Sequence, residues 1–278
     1  MSDVMKNESV IVSDALIGTF DILGAEVIFA ANEKESVKSV VTFLEKTISR
    51  SIQTPKDELL RLAKEKLKTD EFIKELIKRT SSYVYADTIV FMCDISELNG
   101  IKRLIAHDYF LSMTTEITRY MFTCGIPIRG CLSCGIVARY KNDSATIISG
   151  GAYVEAIRIA DCLEFSGTVL TDKIYHAYNE ILKNGELPLC HLVQLPCVVK
   201  DKSKKGCVTQ DMWCLDWLDD TEFLKDHADV RQLIFNSFAS HGKVVRDSVN
   251  NKIGNTENNI RLLISHRNES RSPCAALS

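Results

Sequence analysis

Two carboxylates stand where apolar residues would be expected. Asp21 lies in Ala15-Leu16-Ile17-Gly18-Thr19-Phe20-Asp21-Ile22-Leu23-Gly24, and Asp87 in Tyr83-Val84-Tyr85-Ala86-Asp87-Thr88-Ile89-Val90-Phe91-Met92. Both stretches are rich in β-branched and aromatic residues, which predicts strands. A lone charge in an apolar strand is costly to bury, so each Asp must be hydrogen-bonded, paired, metal-bound or at a strand end. Two such strands suggest a shared cation site. Hard divalent ions of the Mg or Mn type take oxygen ligands and share them with substrate phosphates. Asp21, Asp87 and the backbone carbonyl of Ile22 would hold one or two of them, a site suited to activating a hydroxyl and neutralising a triphosphate. The competing expectation is a pair of strand-end carboxylates that bind only water.

The totals bound what such a site serves. At 278 residues the chain can bury a sizeable core as one domain, or as a domain with a helical appendage. A net charge of -3 gives no sign of a nucleic-acid footprint. The ten Cys are scattered through apolar stretches, as reduced and buried thiols would be. No segment is long and apolar enough to span a bilayer, and the polar start is unlike a signal peptide. Cys274 is fifth from the end where a prenylation box needs it fourth. A cytoplasmic enzyme or binding protein is expected.

The elements that must position the carboxylates follow from periodicity. A strand over residues 12–23 ends at Gly24, and Val37, Val41, Leu44 and Ile48 predict a helix over 33–51. Pro55 opens a second, charged helix that carries Leu59 to Ile77. Residues 82–94 supply the Asp87 strand, 97–123 a long helix, 126–139 a strand and 144–149 another. Gly150 and Gly151 lead into a helix from Ala152 to Phe165, then a short strand at 167–170 and a helix from Thr171. Strands at 189–200 and 207–217 precede a helical tail over 221–265, interrupted near Gly242 and Gly254. The last dozen residues are polar and expected to be disordered. The pattern predicts a sheet with helices, packed in layers.

Four short stretches in order resemble the class III nucleotidyl cyclases. They are Phe20-Asp21-Ile22-Leu23-Gly24, Ala86-Asp87, Ile128-Arg129-Gly130-Cys131-Leu132-Ser133-Cys134-Gly135, and Gly151-Ala152-Tyr153-Val154-Glu155. The similarity covers roughly residues 12–180. It implies an α+β fold: a ferredoxin-like sheet with helices on one face, a helical insertion and a helical C-terminal extension. The cyclase domain would span 1–185 with the insertion at about 33–80, the extension 186–265, and a disordered tail 266–278. It further implies that Asp21 and Asp87 bind two divalent ions, Mn²⁺ or Mg²⁺, and that a homodimer builds active sites at its interface.

The departures point to the base. Purine cyclases usually carry a base-reading Lys four residues before the second metal Asp, where this chain has Tyr83. Their second base-reading residue corresponds to Ile148. The pattern is similar to the pyrimidine cyclases of bacterial anti-phage (Pycsar) systems, implying UTP or CTP as substrate and a cyclic monophosphate read by a separate effector. The alternatives are an adenylate or guanylate cyclase, or a catalytically silent nucleotide-binding domain. The usual Asn and transition-state Arg of the helix fall at Glu155 and Ile159, with Arg158 about 100° away round the helix. Glu155 would bind ribose or make a structural salt bridge. Arg129 would clamp phosphate, or pair with Glu155 or Asp87. Cys131 and Cys134 have redox spacing, but in a strand they face opposite sides.

Overall fold

The computed structural model describes residues 10–29, 34–53, 57–68, 71–141, 146–182, 192–201, 203, 206–218, 230–241, 243 and 245–270. Strand β1 (Ile11–Ile22) is followed by helices α1 (Ala25–Phe29), α2 (Lys34–Gln53), α3 (Asp57–Leu67) and α4 (Glu71–Arg79). Strands β2 (Thr80–Tyr85) and β3 (Thr88–Asp94) form a hairpin, and α5 (Gly100–Thr123) leads to β4 (Ile128–Lys141) and β5 (Thr146–Ser149). Next come α6 (Gly151–Cys162), β6 (Gly167–Leu170) and α7 (Asp172–Leu182). The chain ends in β7 (Leu192–Asp201), β8 (Gly206–Leu215), α8 (Val230–Ala239) and α9 (Asp247–Ser270).

The eight strands form one mixed sheet in the order β2-β3-β1-β4-β6-β8-β7, with β5 paired to β4. Only β4 and β6 run parallel. Alternation along β1 sorts its side chains. Leu16, Phe20 and Ile22 face a core shared with Phe91, Leu132 and the buried face of α5. Ala15 and Ile17 face the opposite side with Val90, Met92, Val137 and Ala152 of α6. Helices α2 to α5 and α7 cover the first face. The second carries α6 at its centre, and α8 and α9 against β6, β7 and β8. The fold is α+β, as expected, with α6, α8 and α9 added on the second face.

Phe20 fixes how closely β1 and β4 pack on the first face. A Cβ on Gly130 would lie 2.3 Å from the Phe20 ring. Gly130→Ala is therefore expected to cost about 2 kcal/mol by overpacking. Urea unfolding at neutral pH measures it, and an unchanged midpoint would contradict the contact.

Four local expectations are corrected. Residues 82–94 are two strands, not one, joined at Ala86 and Asp87, where Ala86 takes φ 52°. The charged helix after Pro55 is two helices, because Lys68 adopts φ 58° and closes α3 with a left-handed residue. Gly254 does not interrupt α9: Ile253, Ile260 and Leu263 are buried around it, which offsets the ~1 kcal/mol propensity cost of glycine. Residues 266–270 are helical rather than disordered, because Arg267 pairs with the buried Asp216 and donates to the Leu218 carbonyl at 2.8 Å. Residues 271–278, Gly242 and Cys274 lie outside the described residues, as do Pro55 and Cys190. No described helix is long and apolar enough to cross a membrane.

Candidate active site

The register of β1 brings three site residues into one row. Asp21 faces Thr88 on β3 and Arg129 on β4. Side chains at directly opposed positions share a face, so Asp21 and Arg129 meet on the side that carries α6. The Arg129 Nε and Nη2 both donate to Asp21 Oδ2, at 2.7 and 2.6 Å. Its Nη1 donates to the carbonyls of Asp161 and Leu163, at 3.2 and 2.8 Å. With only 11% of its side chain exposed, Arg129 needs these acceptors. Neither Glu155 nor Asp87 is its ion-pair partner: cross-strand register assigns Asp21 instead.

Asp87 sits in the exposed turn between β2 and β3, not within a strand. Its carbonyl accepts the Ile22 N–H at 2.9 Å, which fastens the turn to the end of β1. Burial pushes the Asp21 carboxyl above the ordinary carboxylate range, against the opposing pull of Arg129, and the nearby charges of Asp87 and Asp161 push it further. The charges of Asp87 and Asp161 are thus both felt at Asp21. Hard oxygen donors with a repulsive excess of negative charge fit a divalent cation of the Mg or Mn type, bound through one or two carboxylates and substrate phosphates. The buried Thr19 Oγ1, two residues from Asp21 on the same face, has no hydrogen-bond partner among the described residues. Among those residues no group of three or more His, Cys, Asp or Glu is placed to hold a metal ion. Asp21, Asp87 and the Ile22 carbonyl remain the candidate ligands.

Beside Asp21 lies a cleft of about 170 Å³, lined by Thr19, Tyr85, Thr88, Tyr153 and Asp161 among others. Sequence reasoning missed Tyr85, Tyr153 and Asp161. The signal for two of them was present: Tyr153, Ile157, Ala160 and Asp161 follow the i, i+4, i+7, i+8 spacing of one helix face. Only the packing of α6 across the sheet shows what that face covers.

The residues expected to read the base lie apart from this cleft. Tyr83 and Ile148 pack together against the Ala15–Ile17–Val90 cluster. The Tyr83 hydroxyl accepts a hydrogen bond from Arg139 Nη1 at 3.2 Å, and its ring stacks on Tyr85 at 6.3 Å. Glu155 is engaged elsewhere, accepting from Ser133 Oγ at 3.1 Å and pairing with Lys173 at 3.0 Å. Cys131 and Cys134 face opposite cores, and burial raises both thiols, Cys134 to about 11, so neither is a ready nucleophile. All eight cysteines among the described residues are free thiols.

No protein-family profile and no curated protein matches the chain. Among solved structures it is similar to the adenylyl cyclase CyaB from P. aeruginosa, at 14% identity and TM-score 0.44, over 77% of this chain and 98% of that one. It is also similar to the guanylate cyclase domain of RhGC from Catenaria anguillulae, at 16% identity and TM-score 0.44, over 74% and 97%. A bacterial light-regulated adenylyl cyclase aligns at 12% identity and TM-score 0.43, over 82% and 99%. At scores this low the likeness assigns neither family nor activity.

Proposed function

We propose that this chain is a pyrimidine nucleotide cyclase, converting UTP or CTP to the 3′,5′-cyclic monophosphate and pyrophosphate. The observation that carries the reading is the cross-strand pair of Asp21 and Arg129, with Asp161 lining the same cleft as Asp21 and the charge of Asp87 felt at Asp21. In the reaction the 3′-oxygen bonds to the α-phosphorus in line as the bond to the bridging oxygen breaks. The 3′-proton leaves to water, and the electron pair departs with pyrophosphate. Two divalent ions, when bound, would neutralise the triphosphate and make the 3′-hydroxyl easier to ionise. Asp21 and Asp87 would hold them. Arg129, whose fork matches phosphate oxygens, lies next to Asp21 and would clamp the phosphates.

A second copy of the chain completes the site. The cleft is smaller than the roughly 300–1,000 Å³ that enclosed ligand sites occupy, and Tyr83 and Ile148 stand outside it. Val12, Ile136, Ile147 and Val154 expose apolar surface on neighbouring parts of β1, β4, β5 and α6. Such surface favours a partner. In a homodimer the metal carboxylates of one protomer would face the Tyr83 and Ile148 of the other. Tyr83 in place of a base-reading Lys supports a smaller, pyrimidine base, stacked or hydrogen-bonded. The Pycsar-like pattern supports a second messenger made in anti-phage defence and sensed by a separate effector.

A silent nucleotide-binding domain is the second reading, favoured by one observation: Arg129 already occupies Asp21. Purified protein incubated with each of ATP, GTP, CTP and UTP and Mn²⁺ separates these readings. The expected product is cyclic CMP or cyclic UMP. A purine product transfers the protein to the adenylate or guanylate class, and tight binding without any cyclic product establishes the silent domain.

A further inference from the structure

The C-terminal helix and strand β7 grip the same residue of the loop behind Arg129. Glu164 donates its N–H to the Val198 carbonyl at 3.0 Å, and its own carbonyl accepts from Asn255 Nδ2 on α9 at 2.9 Å. Two residues on, the Ser166 N–H donates to Thr256 Oγ1 of α9 at 2.9 Å. One residue before Glu164, the Leu163 carbonyl holds Arg129 Nη1 at 2.8 Å.

Between α9 and the paired strands β7 and β8 opens a cleft of about 380 Å³, within the size range of small-molecule sites. Pro196, Val198 and Thr209 line one wall, and Asn255, Asn258 and Asn259 the other. The three Asn stand at i, i+3 and i+4, so they form one stripe of α9. Asn is a poor helix former, and three of them in mid-helix lower its stability. Asn259 is only 5% exposed. Among the described residues its carboxamide meets only thiols: Nδ2 lies 4.0 Å from Cys197 Sγ, with Cys214 also in reach. A thiol is a weak acceptor, so this buried amide is poorly satisfied until a better partner enters the cleft.

The lining also selects the chemistry of that partner. Among the described residues Arg261 is the one charged side chain in the cleft wall, and Glu257 Oε1 accepts from its Nε and Nη2 at 3.0 and 2.8 Å. A phosphate or carboxylate therefore finds no uncompensated charge. The carboxamides each offer a donor and an acceptor side by side, the pattern that pairs with the edge of a nucleobase. Pro196, Val198 and Leu262 supply apolar surface for a ring face.

We infer that this cleft is an effector site for a neutral nucleobase, free or as its nucleoside, and that the bound ring sets how firmly Arg129 is held. A ring seated there fixes the spacing of α9 and β7, the two elements that hold Glu164 beside Leu163. The binding site rests on the cleft alone; its effect on turnover rests on the cyclase reading.

The test is isothermal titration of the full chain with uracil, cytosine and adenine, and with uridine, cytidine, adenosine and guanosine. At least one is expected to bind at one site per chain, and the tighter of a base and its nucleoside identifies the form recognised. Asn259→Leu, which removes the buried carboxamide, should weaken binding about ten- to a hundredfold. The exposed Asn258→Leu, which leaves the packing of α9 intact, should weaken it up to about tenfold. Melting temperatures of both variants should stay level or rise. In turnover the bound base should shift KM or kcat for the cyclised nucleotide about fivefold or more, and Asn258→Leu should need more of the base for the same shift. Failure of every probe to bind wild type, or equal binding to wild type and both variants, overturns the inference. A base that binds through Asn258 and Asn259 without moving KM or kcat overturns the link to Arg129. Should such binding be found while no nucleotide is cyclised, the cyclase reading falls and the cleft stands as a base site. Should a nucleotide be cyclised while no base or nucleoside binds, the effector site falls and the cyclase reading stands.

Discussion

Asp87→Ala lowers kcat/KM for the cyclised nucleotide by more than about a hundredfold and leaves the melting temperature unchanged. The size follows from the role: even outer partners of a metal cost about 10–100-fold when lost, and a direct ligand costs more. The unchanged stability follows from position, because Asp87 is an exposed turn residue whose fixed contact, to the Ile22 N–H, uses its backbone carbonyl. Asp21 is a less clean target. Asp21→Ala would leave the buried Arg129 guanidinium facing an empty space, a loss on the order of 3 kcal/mol. Asp21→Asn keeps an acceptor oxygen and is the variant to compare. Steady-state kinetics with Mn²⁺, alongside thermal melts, checks both. A fully active Asp87→Ala protein contradicts the metal assignment.

The second large effect is on acid stability. His107, on α5, is fully buried, and its Nδ1 donates to the Arg103 carbonyl at 2.8 Å while Nε2 has no partner among the described residues. Burial, more than any neighbouring charge, lowers its pKa from 6.5 to about 4. Above pH 6.5 the ring is neutral in both folded and unfolded chains and contributes nothing to pH dependence. As pH falls through 6.5 the unfolded chain binds a proton that the folded one refuses, so stability is lost down to about pH 4. The loss from this one group is about 3 kcal/mol. His107→Phe fills the same apolar space without titrating. Urea unfolding from pH 7 to pH 4 should show the wild type losing about 3 kcal/mol more than the variant, and parallel curves would refute the assignment.

The Asp21 face was legible because alternation along β1 needs nothing beyond the strand itself. Asp87 was legible as a residue of interest but not as a turn. Ala86 and Asp87 lack the Asn-Gly or Asp-Gly signature of two-residue hairpins, and strand-forming residues continue on both sides. The Asp21–Arg129 pair depends on cross-strand register, which composition does not encode, so Arg129 was matched with Glu155 or Asp87. Asp161 was harder still, because it becomes relevant only when α6 crosses the sheet; the support of the loop behind Arg129 was equally hidden, because α9 docks on it from some 90 residues later in the chain.

That docking has a consequence for how the chain is made. Strands β1 to β4 form a contiguous half-sheet from residues that leave the ribosome early. Strand β6 has only β4 beside it until β8 emerges, and β7 pairs with β8 rather than β6. The apolar side of that half stays open until Ile253, Ile260 and Leu263 arrive. During synthesis the Asp21 strand can thus be in place while the loop behind Arg129 still lacks its helix. Non-local closure of this kind is slow and leaves apolar surface exposed meanwhile. A nascent chain stalled before residue 250 would carry the carboxylates of the candidate site but not its finished wall.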